Sequence, residues 1–349
     1  MAVRNPSVTN VSRFDIRDVA SRAGVSIATV SRTINNVPTV SPALAERVRE
    51  AIRELNYYPN RQARALVSGK SRLLGLLVSD ITNPFFPELI KRFEEAAVRR
   101  GYELLIGSTN YDSELKHCLR RLIERHVDGV AVMTFGVEDP VLEELSGRNI
   151  PMVFMDVAEE EFNHDALMVD YTHGMREAVR HLVALGHLEI GFISGPLTQH
   201  SAELRRAAFL RSMEECACPA GEQYIVQGDH QLEGGMLGIA ALLRKARPPT
   251  AVLCSNDMTA IGALRTLLNR GFRVPDDMSV VGFDDIHLAN FVNPPLTTVS
   301  MSRTEIAQKA ISALLQRIEA IPESPPPLSQ SVSTALVVRD TTAPPRTRK

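Results

Sequence analysis

Between residues 73 and 285 the chain alternates short, almost wholly apolar runs with stretches of helical periodicity. The runs are LLGLLVSD, YELLIGST, GVAVMTF, PMVFMDV, ALMVD, EIGFISG, TAVLCSND and MSVVGFDD. Continuous apolar runs of this length are typical of parallel strands that helices cover on both faces. Eight or more such strands predict two doubly wound α/β lobes rather than one.

The helices between these runs are predicted at about 86–100, 113–125, 138–147, 173–185, 201–216, 233–246 and 257–271. Several runs end at acidic residues, namely Asp80, Asp156, Asp257 and Asp284. Ligands of open α/β sheets bind at the carboxyl ends of the strands. The acidic residues therefore mark the expected position of a ligand cleft.

Residues 15–58 have a different pattern, helical and without a convincing strand. One helix is predicted over about 15–22, and Gly24 allows a sharp turn because it has no Cβ. Ser26 suits the N-cap of a second helix that ends near residue 34. Ser41 and Pro42 begin a third, amphipathic helix, with proline in the first turn where its missing N–H is harmless.

This pattern suits a helix-turn-helix, in which short side chains let the second helix approach the major groove closely. The charge distribution supports the interpretation. Residues 1–72 contain 12 Lys and Arg against 5 Asp and Glu, whereas the remainder contains 27 basic and 36 acidic residues. A basic arm on an acidic body indicates that the arm meets a polyanion.

Longer motifs identify a family. IRDVASRAGVSIATVSRTIN at 16–35 and VSPALAERVREAIRELNYYPNRQARAL at 40–66 resemble the DNA-binding headpiece of the lac repressor (LacI/GalR) family. The resemblance continues to residue 345 through NPFF, HLVALGHLEIGFISGP, SNDMTAIGALR, VPDDMSVVGFDD, NPPLTTVSM and LVVRDTTAPP. It implies a helix-turn-helix headpiece joined to a periplasmic-binding-protein-like domain of two parallel-sheet lobes.

The resemblance assigns DNA contacts to the second helix. Ile27, Ala28 and Arg32 stand where the family reads base edges, and an arginine forms two hydrogen bonds to guanine O6 and N7. Ile27 and Ala28 offer apolar contact, most usefully to thymine methyl groups. Phosphate contacts, which fix register without conveying sequence, are expected from Ser26, Thr29, Ser31 and Asn35.

Residues 60–68 correspond to the hinge helix of the family, which is too short to be stable alone. In that family two hinge helices pair across a dimer and enter the minor groove. Asn60, Ala63 and Leu66 are the implied minor-groove residues. Leu66 matches the wedge that opens a central base step, and bent DNA that covers more protein compensates for the lost stacking.

The resemblance also implies an effector site between the lobes. Arg205, Asn256 and Asp284 match effector contacts of the family. A guanidinium holds adjacent hydroxyls or a carboxylate, and an amide both donates and accepts hydrogen bonds. The other expected site residues are Asn83, Phe85, Phe86, Asp156, Ser201 and His230.

The effector class is open between two alternatives. The chain has no tryptophan to stack on a sugar ring, and His230 takes the place of an aromatic platform. We expect a sugar or sugar derivative, and Arg303 beside Arg205 would favour an acidic one. Some relatives bind purines as corepressors, but the scarcity of stacking groups makes a purine the second choice.

Other classes of protein are less consistent with the chain. It contains no GxGxxG, P-loop, GxSxG or HExxH motif, so we predict no enzyme and no cofactor. Its four cysteines include no CxxC pair, so we expect reduced thiols and no metal. A stand-alone sugar receptor would have no use for the basic headpiece, and the N-terminus has no apolar core of the kind that a signal peptide needs.

We therefore predict a cytoplasmic, homodimeric repressor that binds a pseudo-palindromic double-stranded DNA operator under effector control and contacts no membrane. The predicted parts are a disordered arm (1–14), the DNA-binding domain (15–58), the hinge (59–71), the effector domain (72–340) and a disordered tail (341–349). Lobe 1 is expected over about 72–171 and 303–330, and lobe 2 over about 172–300 and 331–340.

Overall fold

A computed structural model describes residues 14–35, 37–58, 69–109, 112–134, 150–156, 165–218, 222–320 and 328–346. Its contacts divide the chain into two compact units, residues 1–71 and 72–349. The predicted arm up to residue 13, the hinge residues Asn60, Ala63 and Leu66, and the helix predicted at 138–147 lie outside the described residues.

Three helices form the described part of the first unit: α1 (Ile16–Ala23), α2 (Ile27–Ile34) and α3 (Pro42–Glu54). A capping box begins α1, because the Asp15 side chain accepts from the Asp18 N–H and the Asp18 side chain accepts from the Asp15 N–H. Gly24 ends α1 with φ 61°, a left-handed conformation that suits glycine. The first two helices are therefore found within one residue of their expected ends, and α3 begins at Pro42 as predicted.

The three helices enclose a small core of Val19, Ala20, Ala23, Val30, Val48 and Ala51. A hydrogen bond from α3 fixes the turn between the first two helices, since Arg47 donates to the Ala23 carbonyl at 2.6 Å. A Cβ on Gly24 would lie 2.7 Å from the same guanidinium. Small apolar residues and a glycine thus allow α1 and α2 to approach closely.

Lobe 1 of the second unit is built on a six-stranded sheet. Its strands are β1 (Leu73–Val78), β2 (Glu103–Ser108), β3 (Gly129–Met133), β4 (Met152–Met155), β5 (Asp165–Val169) and β11 (Ser329–Val332). They lie in the order β11-β5-β4-β3-β1-β2, and all their pairings are parallel. The helices of this lobe among the described residues are α4 (Phe85–Arg99), α5 (Asp112–Glu124) and α10 (Arg303–Glu319).

Lobe 2 contains a second six-stranded sheet. Its strands are β6 (Ile190–Ser194), β7 (Ile225–Gln227), β8 (Ala251–Cys254), β9 (Ser279–Asp284), β10 (Thr297–Met301) and β12 (Thr334–Val337), in the order β12-β10-β9-β8-β6-β7. Its α-helices are α6 (Tyr171–Ala184), α7 (His200–Glu215), α8 (Leu232–Leu242) and α9 (Asp257–Asn269), and its 3₁₀ turns are Glu222–Tyr224 and His287–Asn290. The predicted fold class, a helical headpiece with two doubly wound lobes, is confirmed.

Four strands are absent from the predicted runs: β7, β10, β11 and β12. They have three to five residues, and several are rich in serine and threonine. The edge strand β12 also departs from the parallel arrangement, because it pairs with β10 in the antiparallel direction. The chain crosses between the lobes after β5, β10 and β11, so each lobe contains segments distant in sequence.

The prediction of a disordered tail over 341–349 is wrong for residues 341–346. Thr341 is fully buried and donates to the Val280 carbonyl at 2.6 Å. The backbone of Ala343 bonds to Ser279 and to His187. Side-chain and backbone hydrogen bonds, rather than apolar periodicity, hold this segment on lobe 2, and the composition TTAPPR contains no sign of them.

Helices α8 and α9 approach so closely that glycine is required in both. A Cβ on Gly262 would lie 2.0 Å from the Leu232 carbonyl oxygen, and one on Gly235 would lie 2.0 Å from the Thr259 oxygen. We expect Gly262→Ala to reduce the free energy of unfolding by about 3 kcal/mol or more, because the backbone of α8 must move. Urea denaturation of the full chain measures this.

Gly101→Ala is the matched control for that substitution. Gly101 has φ 75°, but a Cβ at this residue would meet nothing within 4 Å. Conformational strain alone predicts a loss of about 1–2 kcal/mol. Equal losses in the two variants would contradict the crowding of α8 against α9.

Candidate functional site

Helix α2 presents the predicted DNA-reading side chains on its exposed face. Ile27, Ala28 and Arg32 are all exposed, and Ile27 retains 46% of its accessible surface. The opposite face is buried through Val30 and Thr33. An exposed isoleucine at the start of a helix is therefore available for contact with a partner rather than for the headpiece core.

The predicted phosphate contacts divide into two groups. Ser26 and Thr29 are engaged with each other, because Ser26 Oγ accepts from the Thr29 N–H at 3.1 Å and lies 2.9 Å from Thr29 Oγ1. Ser31 is half-buried and Asn35, at the C-cap, is exposed. The hydroxyl groups near the start of α2 thus also hold its first turn together.

In the large unit the ends of the strands bring buried polar residues together. Arg205, on α7, donates to the Ser255 carbonyl and pairs with Asp284 at 3.2 Å, at the end of β9. Its guanidinium lies over two rings, 4.4 Å from the centroid of Phe283 and 5.0 Å from that of Tyr171. The Tyr171 hydroxyl in turn donates to Asp156, which follows β4.

Burial raises the pKa of both carboxyl groups in this cluster, whereas neighbouring groups raise the pKa of Arg205. Burial raises the pKa of Asp284 to about 6, although Arg205 and Arg303 act to lower it. Burial likewise raises the pKa of Asp156 against the hydrogen bond from Tyr171. Burial acts to lower the pKa of Arg205, but nearby Asp284 and Tyr171 leave it raised. Arg205 thus remains charged between two carboxyl groups that resist ionisation.

His230 is buried beneath the same cluster. Its Nδ1 lies 3.1 Å from Ser255 Oγ, and burial, with a smaller effect of Arg205, lowers its pKa to about 3. A Cβ on Gly195 would lie 2.1 Å from His230 Nε2, so the ring fits only because that residue is glycine. Asn256 is equally enclosed, since its amide accepts from the Thr259 N–H at 2.8 Å and donates to the His230 carbonyl at 2.9 Å.

Three of these residues have left-handed backbone conformations although none is glycine: Asp156 (φ 52°), His230 (φ 65°) and Asp284 (φ 106°). Such conformations are costly and cluster at functional sites. The strain is consistent with a ligand site at the carboxyl ends of the strands.

The two aromatic residues expected at the cleft are both buried. Phe85 and Phe86 are both almost inaccessible and form a T-shaped pair with centroids 5.3 Å apart. The Asn83 side chain, two residues before α4, accepts from the Phe85 N–H at 3.1 Å. The burial of both rings is compatible with a core role for either of them.

Sequence reasoning missed Gln199, which precedes α7. Within the described residues, Gln199 Oε1, Ser201 Oγ and Arg205 Nε are buried and have no hydrogen-bond partner. Buried polar atoms are normally satisfied, so three of them close together at the start of one helix indicate groups that meet a ligand or water. No motif marks Gln199, and only the structure identifies it.

Arg303 and Arg205 both contact Asp284, Arg303 at its backbone carbonyl and Arg205 at its side chain. Arg303 donates to the carbonyls of Asp284 and Asp285 and pairs with Glu88 at 3.2 Å. All three guanidinium nitrogens of Arg303 are engaged in these contacts, so its side chain holds neighbouring segments of the protein together. It gives no support to an acidic effector in the cleft.

Besides the bonds from Tyr171 to Asp156 and from Arg303 to the Asp284 and Asp285 carbonyls, two hydrogen bonds of other residues join the lobes around the cluster. Gln231, before α8 of lobe 2, donates to Asp80 at the end of β1 of lobe 1, at 3.0 Å. Glu88, on α4 of lobe 1, accepts from the His287 N–H of lobe 2 at 2.9 Å. The cleft residues thus lie between segments that fix the relative position of the two lobes.

The headpiece and the two-lobed domain together define a ligand-responsive DNA-binding regulator. A family model described as bacterial regulatory proteins, lacI family, matches residues 15–60, and one described as a periplasmic binding protein-like domain matches residues 179–342. The HTH-type transcriptional repressor PurR of Actinobacillus pleuropneumoniae serotype 3 (strain JL03) is 37% identical over 305 residues, which are 87% of this chain and 91% of the relative.

Solved structures agree with this assignment. The lac repressor dimer bound to operator and the anti-inducer ONPF has a TM-score of 0.83 at 30% identity, covering 95% of this chain and 100% of that one. A complex of the transcriptional regulator CelR with cellobiose has a TM-score of 0.70 at 29% identity, covering 94% and 100%. This chain belongs to the lacI family and is a DNA-binding transcriptional repressor. In the described part of the chain, none of the helices could cross a bilayer.

Proposed function

We propose that this repressor is a homodimer that binds a pseudo-palindromic operator in the cytoplasm, and that a small molecule bound between its lobes controls operator affinity. The observation that carries the proposal is the exposed face of α2, with Ile27, Ala28 and Arg32, in the same chain as a buried polar cluster at the ends of two sheets. The lac repressor, a dimer bound to operator and to a small molecule, supports the same assembly.

The proposed control works through the hinge segment. Residues 59–71 include Asn60, Ala63 and Leu66, which we propose to enter the minor groove beside those of a partner subunit. A segment of this length gains little from helix formation alone, so it folds only when a partner hinge and DNA are present. An effector that changes the angle between the lobes then alters hinge pairing, with a coupling of about 1–3 kcal/mol.

For the effector we propose a sugar or sugar derivative. Asp156, Ser201, Arg205 and Asp284 offer several donors and acceptors at short spacing, as the hydroxyl groups of a sugar require. Together with Asn83, Phe85, Phe86, His230 and Asn256 they form the proposed site. The engagement of Arg303 favours a neutral ligand over an acidic one. The cellobiose complex of CelR is in keeping with this class.

A purine is the second candidate, because the repressor of A. pleuropneumoniae carries the name PurR. Thermal-shift measurements against sugars, sugar acids and purines separate the two classes. A ligand at about 100 times its dissociation constant adds about 2.7 kcal/mol of stability. A shift with purines and none with sugars would overturn the sugar proposal and leave the repressor function intact.

Arg32→Ala tests the DNA-reading face. We expect it to weaken binding of the specific operator by about 1–3 kcal/mol, because a two-bond contact with guanine is lost. Arg49→Ala, at an exposed arginine of α3 paired with Glu46, is the matched control and should change specific and non-specific binding alike. Gel-shift titration at several salt concentrations measures both.

The titration also distinguishes the repressor from a receptor or an enzyme, neither of which shows salt-sensitive, site-specific retardation. If Arg32→Ala weakened binding to operator and random DNA by the same factor, Arg32 would contact phosphate and not a base.

Gln199→Leu tests the effector site. The substitution removes the buried, unpartnered Oε1 while keeping a side chain of similar size. We expect effector affinity to fall by about tenfold, the effect of one lost hydrogen bond in a buried site. Isothermal titration with the ligand found by thermal shift measures the change. A Kd within about twofold of the wild-type value would exclude Gln199 from the site.

A further inference from the structure

A cavity of about 670 Å³ lies outside the polar cluster, at the junction of the two lobes. Its walls come from α4 of lobe 1, from the loop after β9 and from the connection between β10 and α10. The volume is in the range of small-molecule sites. A molecule bound here would contact both lobes.

Four permanent cations line this cavity against two carboxylates. The cations are Lys91, Arg92, Arg303 and Arg339, and the carboxylates are Glu88 and Asp285. The excess of positive charge is unlike the rest of the large unit, since residues 73–349 are acidic overall. The cavity is therefore a local positive site on an acidic body.

Both carboxylates are already neutralised by arginines of the cavity wall. Glu88 pairs with Arg303 at 3.2 Å and also accepts from the His287 N–H at 2.9 Å. Asp285 pairs with Arg339 at 2.6 Å, and Arg339 donates in addition to the Leu296 carbonyl. These contacts hold the two arginines in place. Because each carboxylate is already paired with an arginine, it cannot fully neutralise a second cation.

The two remaining cations stand on successive positions of α4. The Lys91 ammonium is exposed and has neither an ion pair nor a hydrogen bond with any described residue. Arg92 pairs with Glu95 at 3.0 Å, but both side chains are exposed, 44% and 38%, and such surface pairs contribute little. The positive charge that the two carboxylates do not neutralise is thus concentrated on the α4 side of the cavity.

We infer that this cavity is an anion-binding site for a small, multiply charged metabolite, phosphorylated or polycarboxylic, held by Lys91 and Arg92 against the frame of Arg303 and Arg339. Such an anion supplies the acceptors that these donors need. Because its contacts come from both lobes, bound anion stabilises the arrangement of the lobes. The cavity adjoins the proposed effector site through Arg303, which donates to the Asp284 carbonyl, but none of the residues proposed for that site lines the cavity. The inference does not depend on the ligand class of the effector site.

Calorimetric titration of the full chain with pyrophosphate and with citrate, at constant ionic strength, tests the site. We expect saturable binding of at least one of them, and the comparison shows whether phosphate or carboxylate is preferred. Lys91→Gln with Arg92→Gln should weaken binding by about tenfold or more, since two charge-assisted contacts are lost. The matched control is Arg244→Gln with Lys245→Gln, an adjacent exposed pair after α8, which should leave the Kd unchanged.

A thermal melt of each variant without anion shows whether the variant folds. Lys91→Glu is a second variant, which reverses the charge and is expected to lose anion binding. The basic headpiece can also attract anions, and it is unchanged in every variant. Binding that survives both Lys91 variants would therefore lie elsewhere and overturn the inference, as would the absence of saturable binding to wild-type protein.

Discussion

Arg205→Met is expected to reduce the free energy of unfolding by about 3–5 kcal/mol and to abolish the response to effector. The substitution leaves Asp284 buried with its nearest cation removed, and an uncompensated buried charge is strongly destabilising. Contacts with the Phe283 and Tyr171 rings are lost as well. Urea denaturation of the full chain measures stability, and ligand-dependent thermal shift measures the response.

Two further variants isolate the charge effect. Arg211→Met changes an exposed arginine of the same helix and should alter stability by no more than about 0.5 kcal/mol. Adding Asp284→Asn to Arg205→Met should recover part of the loss, because the unpaired carboxylate is then removed. If the double variant were instead clearly less stable than Arg205→Met, the unpaired Asp284 carboxylate would not be the cause of the lost stability.

The second large effect is on the dependence of stability on pH. His230 and Asp284 contribute to this dependence with opposite signs. The folded pKa of His230, about 3, lies below its ordinary value of 6.5, so its contribution is complete above pH 6.5 and is lost as the pH falls toward 3. The full loss corresponds to about 5 kcal/mol at about 1.36 kcal/mol for each pKa unit.

Asp284 acts in the other direction. Its folded pKa, about 6, lies above the ordinary 3.8, so its contribution is complete below pH 3.8 and is lost as the pH rises through 6. Between about pH 4 and 6 the two effects partly cancel in the wild-type protein. We expect His230→Phe to make stability rise on acidification through this range, and Asp284→Asn to make it fall more steeply than in wild type.

Denaturation of the three proteins at half-unit pH intervals from about 4.5 to 7.5 checks this expectation. Because each comparison is a difference between curves, titration of the other residues largely cancels. Parallel curves for wild type and His230→Phe would show that His230 takes up a proton as readily in the folded chain as in the unfolded chain.

The sequence was sufficient for the parts of the fold that depend on local pattern. Runs such as GVAVMTF predict strands because a strand covered on both faces must be apolar at every position. Sequence reasoning failed for β11 and β12, because SQSV is too short and too polar to differ from a loop, and TALV is too short. Those strands form only because distant segments offer paired backbones, and a local pattern contains no information about such pairing.

The proposed effector site shows the same division between residues that sequence motifs predict and features that only the folded chain reveals. Family motifs brought Arg205 and Asp284 into one prediction, and the structure joins them at 3.2 Å. They did not disclose that Arg303 donates to the backbone carbonyls of Asp284 and Asp285, or that Gln199 Oε1 is buried without a hydrogen-bond partner. Both facts depend on which way a side chain turns in the folded chain, and a linear motif does not specify that direction.

The contribution of β11 and β12 to separate sheets has a consequence for biosynthesis. A ribosome that has translated only as far as residue 328 has released neither lobe in a finished form, because each still lacks a strand at its edge. Premature stop codons upstream of that point should therefore expose β5 and β10, which are inner strands of the complete sheets, as edges in the same polypeptide, which is then prone to aggregation and a target for quality-control proteases.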